Sequence, residues 1–233
     1  GFRDAGVFWL PMRLMLGLFG PRNPIAGQEF AGQVESVGSA VTQFRAGEAV
    51  FGMTWLHGAN AEYAIMPADA PIATKPDTLT DAQAAAVPFG ALSALVFLRN
   101  LGRVRSGQNI LVYGASGCVG VFAVQLAKHL GAVVTGVCST ANVDMVKSLG
   151  ADRVIDYTKE DFTSTGETYD LILDTVGANA FARCKRVLKP NGVHLFLTGG
   201  LLQILQALWT SMRPGKRVVF GIPRPTATDL AYI

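Results

Sequence analysis

Residues 111–120 read LVYGASGCVG. An apolar run ends at Tyr113, and glycines follow at 114, 117 and 120 with no large side chain among them. Side chains are absent where something must approach the backbone closely. ASGCVG has the form of the dinucleotide fingerprint, with Ala115 at the first glycine position. In that form Gly117 lets the main chain approach a pyrophosphate, and Gly120 lets the next helix pack against the strand. The N–H groups and dipole at that helix start hold the phosphates.

Outward from this turn, the pattern from residue 109 alternates. NILVYG, AVVTGVC, RVID, YDLILD, VHLFLTG and RVVFGI read as strands, with helical stretches between them. In GCVGVFAVQLAKHL, Val119, Phe122, Ala123, Leu126 and Leu130 share one helical face. Such alternation implies an α/β class with a doubly wound parallel sheet of six strands, covered on both sides. Residues 1–76 are instead rich in Gly, Pro and short alternating runs, and GQVESVG and AEYAIM read as strands of a β-rich unit. LTDAQAAAVPFGALSALVFLRN reads as helix, capped by Thr80 with Gln83 three residues on, and split or kinked at Pro88.

The 233 residues suit one large domain or two modest ones. Half are hydrophobic and 16% charged, which excludes a disordered chain. The net charge is +3, with no basic run interleaved with aromatics, so no nucleic-acid partner is expected. Cys118, Cys138 and Cys184 are widely spaced and form no CxxC pair. Neither a disulfide framework nor a cysteine-rich zinc site follows, and a reducing compartment, the cytoplasm, is expected. LFLTGGLLQILQALW is interrupted by Gly199, Gly200, Gln203 and Gln206 and is too short to span a bilayer. No signal peptide is seen, and no membrane partner is expected. The chain opens without Met in an apolar stretch, which reads as a piece of a longer protein.

The end of the second strand bears on cofactor choice. NAD-binding units place an acid about 20 residues past the first glycine, to bond the ribose 2′-hydroxyl. Here the sequence is GVCSTANVD, with Cys138 and Ser139 at that place and no carboxylate before Asp144. A 2′-phosphate is then not repelled, and Ser139 and Thr140 are candidate donors to it. They also suit a cap for the next helix. NADP is expected over NAD. Asp174, which ends YDLILD, reads as a ligand contact or, more simply, as a solvated loop acid or helix cap. Thr198, Gly199, Phe220 and Gly221 stand at the ends of the last two strands and are candidates for backbone contact with a nicotinamide.

GQEFAGQVESVGSAVTQFRAGEAVFGM carries a wider resemblance, together with AEYAIMP, AAAVPFGALSAL, LVYGASGCVGVFAVQLAK, SLGADRVIDY and LILDTVG. In order and spacing these blocks resemble the medium-chain dehydrogenase/reductase superfamily, in its zinc-free quinone oxidoreductase-like branch. The resemblance implies a partial GroES-like catalytic domain over 1–87, a Rossmann domain over 88–222 and the start of a return segment over 223–233. It implies that Gly114, Ala115, Ser116, Gly117, Cys118, Val119 and Gly120 line the pyrophosphate. It also places Ser139 and Tyr157 near the 2′-phosphate, with Thr140 and Asn142 in the same loop. Val176, Thr198, Gly199, Phe220, Gly221 and Ile222 fall near the nicotinamide and its ribose.

Departures from the family pattern are equally informative. Gln28 stands where zinc-using relatives carry a ligand His, and the cysteine-rich zinc lobe has no counterpart. His57, His129 and His194 do not cluster in sequence, so no metal is expected. Ala141 and Asn142 replace a Lys or Arg frequent in NADPH-using relatives, and Asn60 replaces a frequent Tyr. The family's opening strands and its closing helix and strands have no counterpart here.

The reading is an NADPH-dependent, zinc-independent reductase of a quinone or an α,β-unsaturated carbonyl, acting on a small molecule. Asn60 and Ser93 are candidates for lining the substrate cleft. The apolar sixth strand suits a homodimer. An NAD(P)-dependent alcohol or aldehyde dehydrogenase, and a nucleotide-binding module without turnover, stay open. A methyltransferase would need an acid before the glycine turn, where Leu111–Tyr113 stand. A short-chain dehydrogenase would need a Lys four residues after a Tyr, and Tyr63, Tyr113, Tyr157 and Tyr169 all lack one.

Overall fold

The computed structural model describes residues 24–54 and 58–233, together with Leu14 and Gly17. They form two compact units. One comprises Gly1–Leu92 and Arg224–Ile233; the other is Ser93–Pro223.

In the first unit, β1 (Glu29–Gln33), β2 (Ala49–Met53) and β3 (Ile72–Thr74) form an antiparallel sheet in that order. GQVESVG contributes only Gly32 and Gln33 to a strand. Val34 still bonds Glu48 and Gly47, and the chain then leaves the sheet. AEYAIM forms no strand, contrary to its alternation, and Tyr63 and Ile65 are exposed. No strand among the described residues pairs with it, and alternation without a partner leaves its backbone groups unladdered. The predicted helix is split as Pro88 requires. α1 (Asp81–Ala85) has a full capping box between Thr80 and Gln83, and α2 (Pro88–Leu95) runs on into a π-helical segment, Val96–Leu101. The border between the units falls inside α2, whereas the sequence reading sets it at 87. Phe51, Met53, Ala73, Ala84, Leu92 and Leu230 make the core of this unit.

The second unit is built on β4 (Asn109–Tyr113), β5 (Val133–Cys138), β6 (Arg153–Asp156), β7 (Tyr169–Asp174), β8 (Leu188–Phe196) and β9 (Arg217–Phe220). Its helices are α3 (Cys118–His129), α4 (Val143–Ser148), α5 (Phe181–Cys184) and α6 (Leu201–Ser211). A last helix, α7 (Ala227–Tyr232), belongs to the first unit, where Leu230 joins its core. The six strands are all parallel, in the order β6-β5-β4-β7-β8-β9. This is the doubly wound Rossmann order, with its switch point between β4 and β7.

The continuous apolar runs explain why the sheet is covered twice. Successive side chains of a strand point to opposite faces, so a run without polar gaps must be buried on both. Ile110, Val112, Leu171 and Leu173 enter one core, with Val119, Ala123 and Ala127 of α3. Leu111 and Ile172, between them in sequence, enter the other, with Phe162, Phe181 and Phe196.

His194 sits in that second core, wholly buried, with its ring 4.0 Å from that of Phe196 and 6.3 Å from that of Phe181. Neither imidazole nitrogen has a hydrogen-bond partner. Burial lowers its pKa to about 4, against a weaker opposing pull from Asp174. The unfolded chain takes up this proton near pH 6.5 and the folded one only near 4, so stability falls as pH drops between those values. The loss is on the order of 3 kcal/mol. His194→Leu removes the titrating group. Urea unfolding of this variant between pH 7 and 4.5 is expected to show a flatter pH dependence than wild type, with stability at pH 7 at least retained.

Candidate functional site

The glycine turn stands at the carboxyl end of β4. Gly114 has φ +81, a left-handed conformation that favours glycine. A Cβ at Gly114 would lie 2.5 Å from Thr175 Oγ1 and 2.6 Å from Val176 Cγ2. The tight turn is therefore made by Gly114, one residue before the position the fingerprint assigned. Ala115 is buried in the core, and its N–H and that of Gly114 both donate to Val137 O, at 3.0 and 3.1 Å. These two N–H groups hold the turn to β5 and are not available to a phosphate.

Gly117 is the N-cap of α3, with ordinary extended backbone (φ −81) and no side-chain cap. The first-turn N–H groups of a helix lack intrahelical partners, so Val119 and Gly120 present theirs at the helix start without a capping side chain. Gly120 is needed for contact. A Cβ there would run into Gly114 O and lie 2.8 Å from Ala115 C and Cα. Cys118 is exposed.

The ends of β5 and β6 meet beside this turn. Asn142 Nδ2 donates to Ser116 Oγ at 3.2 Å and to Ser139 Oγ at 3.3 Å, joining the glycine turn to the loop after β5. Ser139 accepts there and keeps its hydroxyl proton to donate. Thr140 does not: its Oγ1 donates to Asp156 Oδ2 at 2.6 Å. Tyr157 is exposed, with its N–H on Cys138 O at 3.1 Å. The sequence reading missed Asp156 because it stands far along the chain from the loop it faces. The signal lay in RVIDY, whose strand ends next to Cys138.

Asp174 ends β7 and is fully buried, neither solvated nor a helix cap. It accepts from the N–H groups of Val176 (3.0 Å), Gly177 (2.8 Å) and Asn179 (2.9 Å), and from Asn179 Nδ2 (3.3 Å). Its charge folds the following loop, and Val176 of that loop is left 57% exposed. Thr175 Oγ1 donates to Tyr113 O at 2.9 Å. Thr198 stands against Gly177, and Phe220 against Gly199. Gly221 packs on Leu101, and Ile222 is 78% exposed. The candidates of β7, β8 and β9 thus follow one another along the carboxyl edge of the sheet. Asn60 belongs to the first unit, exposed beside Gly27. Ser93 belongs to the second and is buried. His57 lies outside the described residues, and His129 is exposed.

Neither buried thiol is suited to act as a nucleophile. The thiols of Cys138 and Cys184 are buried, and burial pushes that of Cys184 up to about 12 and raises that of Cys138. At Gly117, the expected cradle, a Cβ would meet Gly114 O at 3.3 Å, a tight contact that a small backbone shift relieves. Gly117→Val is therefore expected to fold with a loss of about 1 kcal/mol, from the tight contact and the poorer N-cap, and to bind NADPH at least about tenfold more weakly. Gly120→Ala is expected to cost about 1–3 kcal/mol of stability through overpacking. Thermal unfolding and NADPH fluorescence titration of the two variants check this contrast.

Comparison with known proteins agrees with this geometry. Residues 118–225 match the family model described as zinc-binding dehydrogenase, and residues 10–77 match that of the alcohol dehydrogenase GroES-like domain. The chloroplast envelope quinone oxidoreductase homolog of Arabidopsis thaliana is 36% identical over 88% of this chain and 64% of its own. The 2-methylene-furan-3-one reductase of Solanum lycopersicum is 36% identical over 78% of this chain and 48% of its own. The chain thus spans between about half and two thirds of these relatives. The crystal structure of the Pseudomonas syringae quinone oxidoreductase superposes with a TM-score of 0.73 at 29% identity, over 89% of this chain and 67% of that one. With a glycine turn, a strand order and two family models in agreement, the chain belongs to the medium-chain dehydrogenase/reductase superfamily.

Proposed function

We propose that the protein is an NADPH-dependent oxidoreductase that reduces a quinone or an α,β-unsaturated carbonyl without zinc. The observation that carries this is the glycine-lined start of α3, with no side-chain cap, at the same edge as the carboxyl ends of β5, β7, β8 and β9. Val119 and Gly120 N–H groups hold the pyrophosphate, Ser139 donates to the 2′-phosphate, and Val176, Thr198 and Phe220 line the nicotinamide. A bound nicotinamide coenzyme supplies the hydride. The chain's own part is to orient and to exclude water. A conjugated acceptor delocalises the negative charge that arrives with hydride, so it needs few donors. The relatives named for a quinone and for an enone support this substrate class.

Gln28 at the zinc-ligand position supports a metal-free site. Among the described residues no group of three or more His, Cys, Asp or Glu side chains gathers. Among the described residues β9 ends the sheet with β8 as its neighbour, which supports pairing of two copies along it. Cys118, Cys138 and Cys184 form no disulfide with one another, which suits a reducing compartment. No described helix is long and apolar enough to cross a membrane.

On the full-length gene product, NADPH oxidation is expected with quinones and enones, and much less with isolated ketones. Binding of NADPH without oxidation of any acceptor would reduce the reading to a nucleotide-binding module. Elemental analysis is expected to find far less than one zinc per chain. Wild type is expected to bind NADPH more tightly than NADH. Ser139→Asp is expected to reverse that order, by about one to two decades, because a charged-group hydrogen bond of roughly 1.5–3 kcal/mol becomes a repulsion. The ratio of the two dissociation constants is the measurement.

A further inference from the structure

The acid missing from the end of β5 is supplied by β6. Cys138 and Asp156 are register partners across the parallel pair β5–β6. The end of β6 therefore lies one strand spacing, about 5 Å, from the place where a dinucleotide-binding unit reads the ribose 2′ group. The Asp156 side chain is only 12% exposed. Its Oδ2 accepts from Thr140 Oγ1 at 2.6 Å, and its Oδ1 from Thr158 Oγ1 at 2.7 Å and Thr158 N at 3.0 Å. Lys159 Nζ stands 3.3 Å from Oδ2. Hydrogen bonds from Thr140 and then Thr158 hold the carboxyl well below the usual carboxylate range, so it carries its charge throughout the neutral region. That charge reaches the end of β5, where, after burial, it helps to raise the Cys138 thiol.

We propose that Asp156 is a coenzyme-specificity residue, whose fixed carboxylate, partly neutralised by Lys159, limits how strongly the loop after β5 prefers a 2′-phosphate to a 2′-hydroxyl. The inference rests on the NADPH reading above. Asp156 acts in two ways. Its charge opposes a phosphate dianion but not a neutral hydroxyl. It also takes the hydroxyl proton of Thr140, which leaves Ser139 as the donor of that loop to the phosphate. Ala141 and Asn142 bring no positive charge to offset it. Lys159, with its side chain 68% exposed, is the cation that does.

The test is the pair of dissociation constants for NADPH and NADH, by nicotinamide fluorescence at low and high salt, in the full-length protein. Asp156→Asn removes the charge and keeps an oxygen to accept from Thr158. NADPH is expected to bind about tenfold more tightly, with NADH changed less than about twofold. Lys159→Gln is expected to shift the ratio the opposite way, and both shifts shrink in high salt. Asp156→Ser replaces Asn should that variant fail to fold. Equal weakening of both coenzymes in the Asp156 variants would make the residue merely structural and overturn the proposal. A ratio in Asp156→Asn unchanged from that of a wild type that binds NADPH would also overturn it, while leaving the nucleotide site standing. A wild type that binds neither coenzyme would instead overturn the parent reading, and this one with it.

Discussion

The domain turns on the contact between Gly120 and the backbone of Gly114 and Ala115. No Cβ fits between them. The helix therefore starts directly over the end of β4, and the left-handed Gly114 is what lets the chain reverse there within so few residues. Everything that defines the candidate site follows from this placement. The N-terminus of α3 points along the strand ends, its cap is a glycine with no side chain to occupy the donors, and Val119, Ala123 and Ala127 are brought down onto the sheet. A larger residue at 120 would push the helix off the strand and separate the donors from the loops they share.

Parallel pairing then gathers what the chain separates. Strands that run the same way bring all their carboxyl ends to one edge, so residues from six loops become neighbours. Two of these loops are held by carboxylates. Asp174 is buried and binds three backbone N–H groups and one amide of its own loop. Asp156 binds threonines from two different loops. A carboxylate accepts several short hydrogen bonds at once, which makes it an efficient organiser of backbone with no secondary structure of its own. Both acids stand at strand ends. One works wholly on its own following loop, and the other reaches across to the loop of the neighbouring strand.

The balance of charge near the 2′ position is correspondingly local. Donors in the loop after β5 count only insofar as their protons are uncommitted. Ser139 and Thr140 are adjacent in sequence and equal in chemical type, yet Ser139 accepts from Asn142 and Thr140 donates to Asp156. A hydroxyl has a single proton to give. The two residues therefore differ in what they offer a ligand, and composition alone does not tell them apart.

Much of the fold was legible from residue order. Apolar runs without gaps in NILVYG and YDLILD require burial on both faces, and their alternation with helices admits a parallel sheet and little else. Thr80, Gln83 and Pro88 act through bonds a few residues long, so the capped start and the split of the helical region were readable too. The glycine turn was legible at Gly117 and Gly120, but the fingerprint does not show that Gly114, and not Ala115, takes the positive φ of the first position. AEYAIM alternates as a strand does, but a strand exists only with a partner, and pairing is a property of the fold. The burial of Asp174 and the unpaired imidazole of His194 belonged wholly to the tertiary structure, as did the facing of Asp156 and Thr140. Local chemistry is determined by neighbours in sequence. Which hydroxyl faces which carboxylate, and which side chain loses its water, is decided by strands that meet only after the chain has folded.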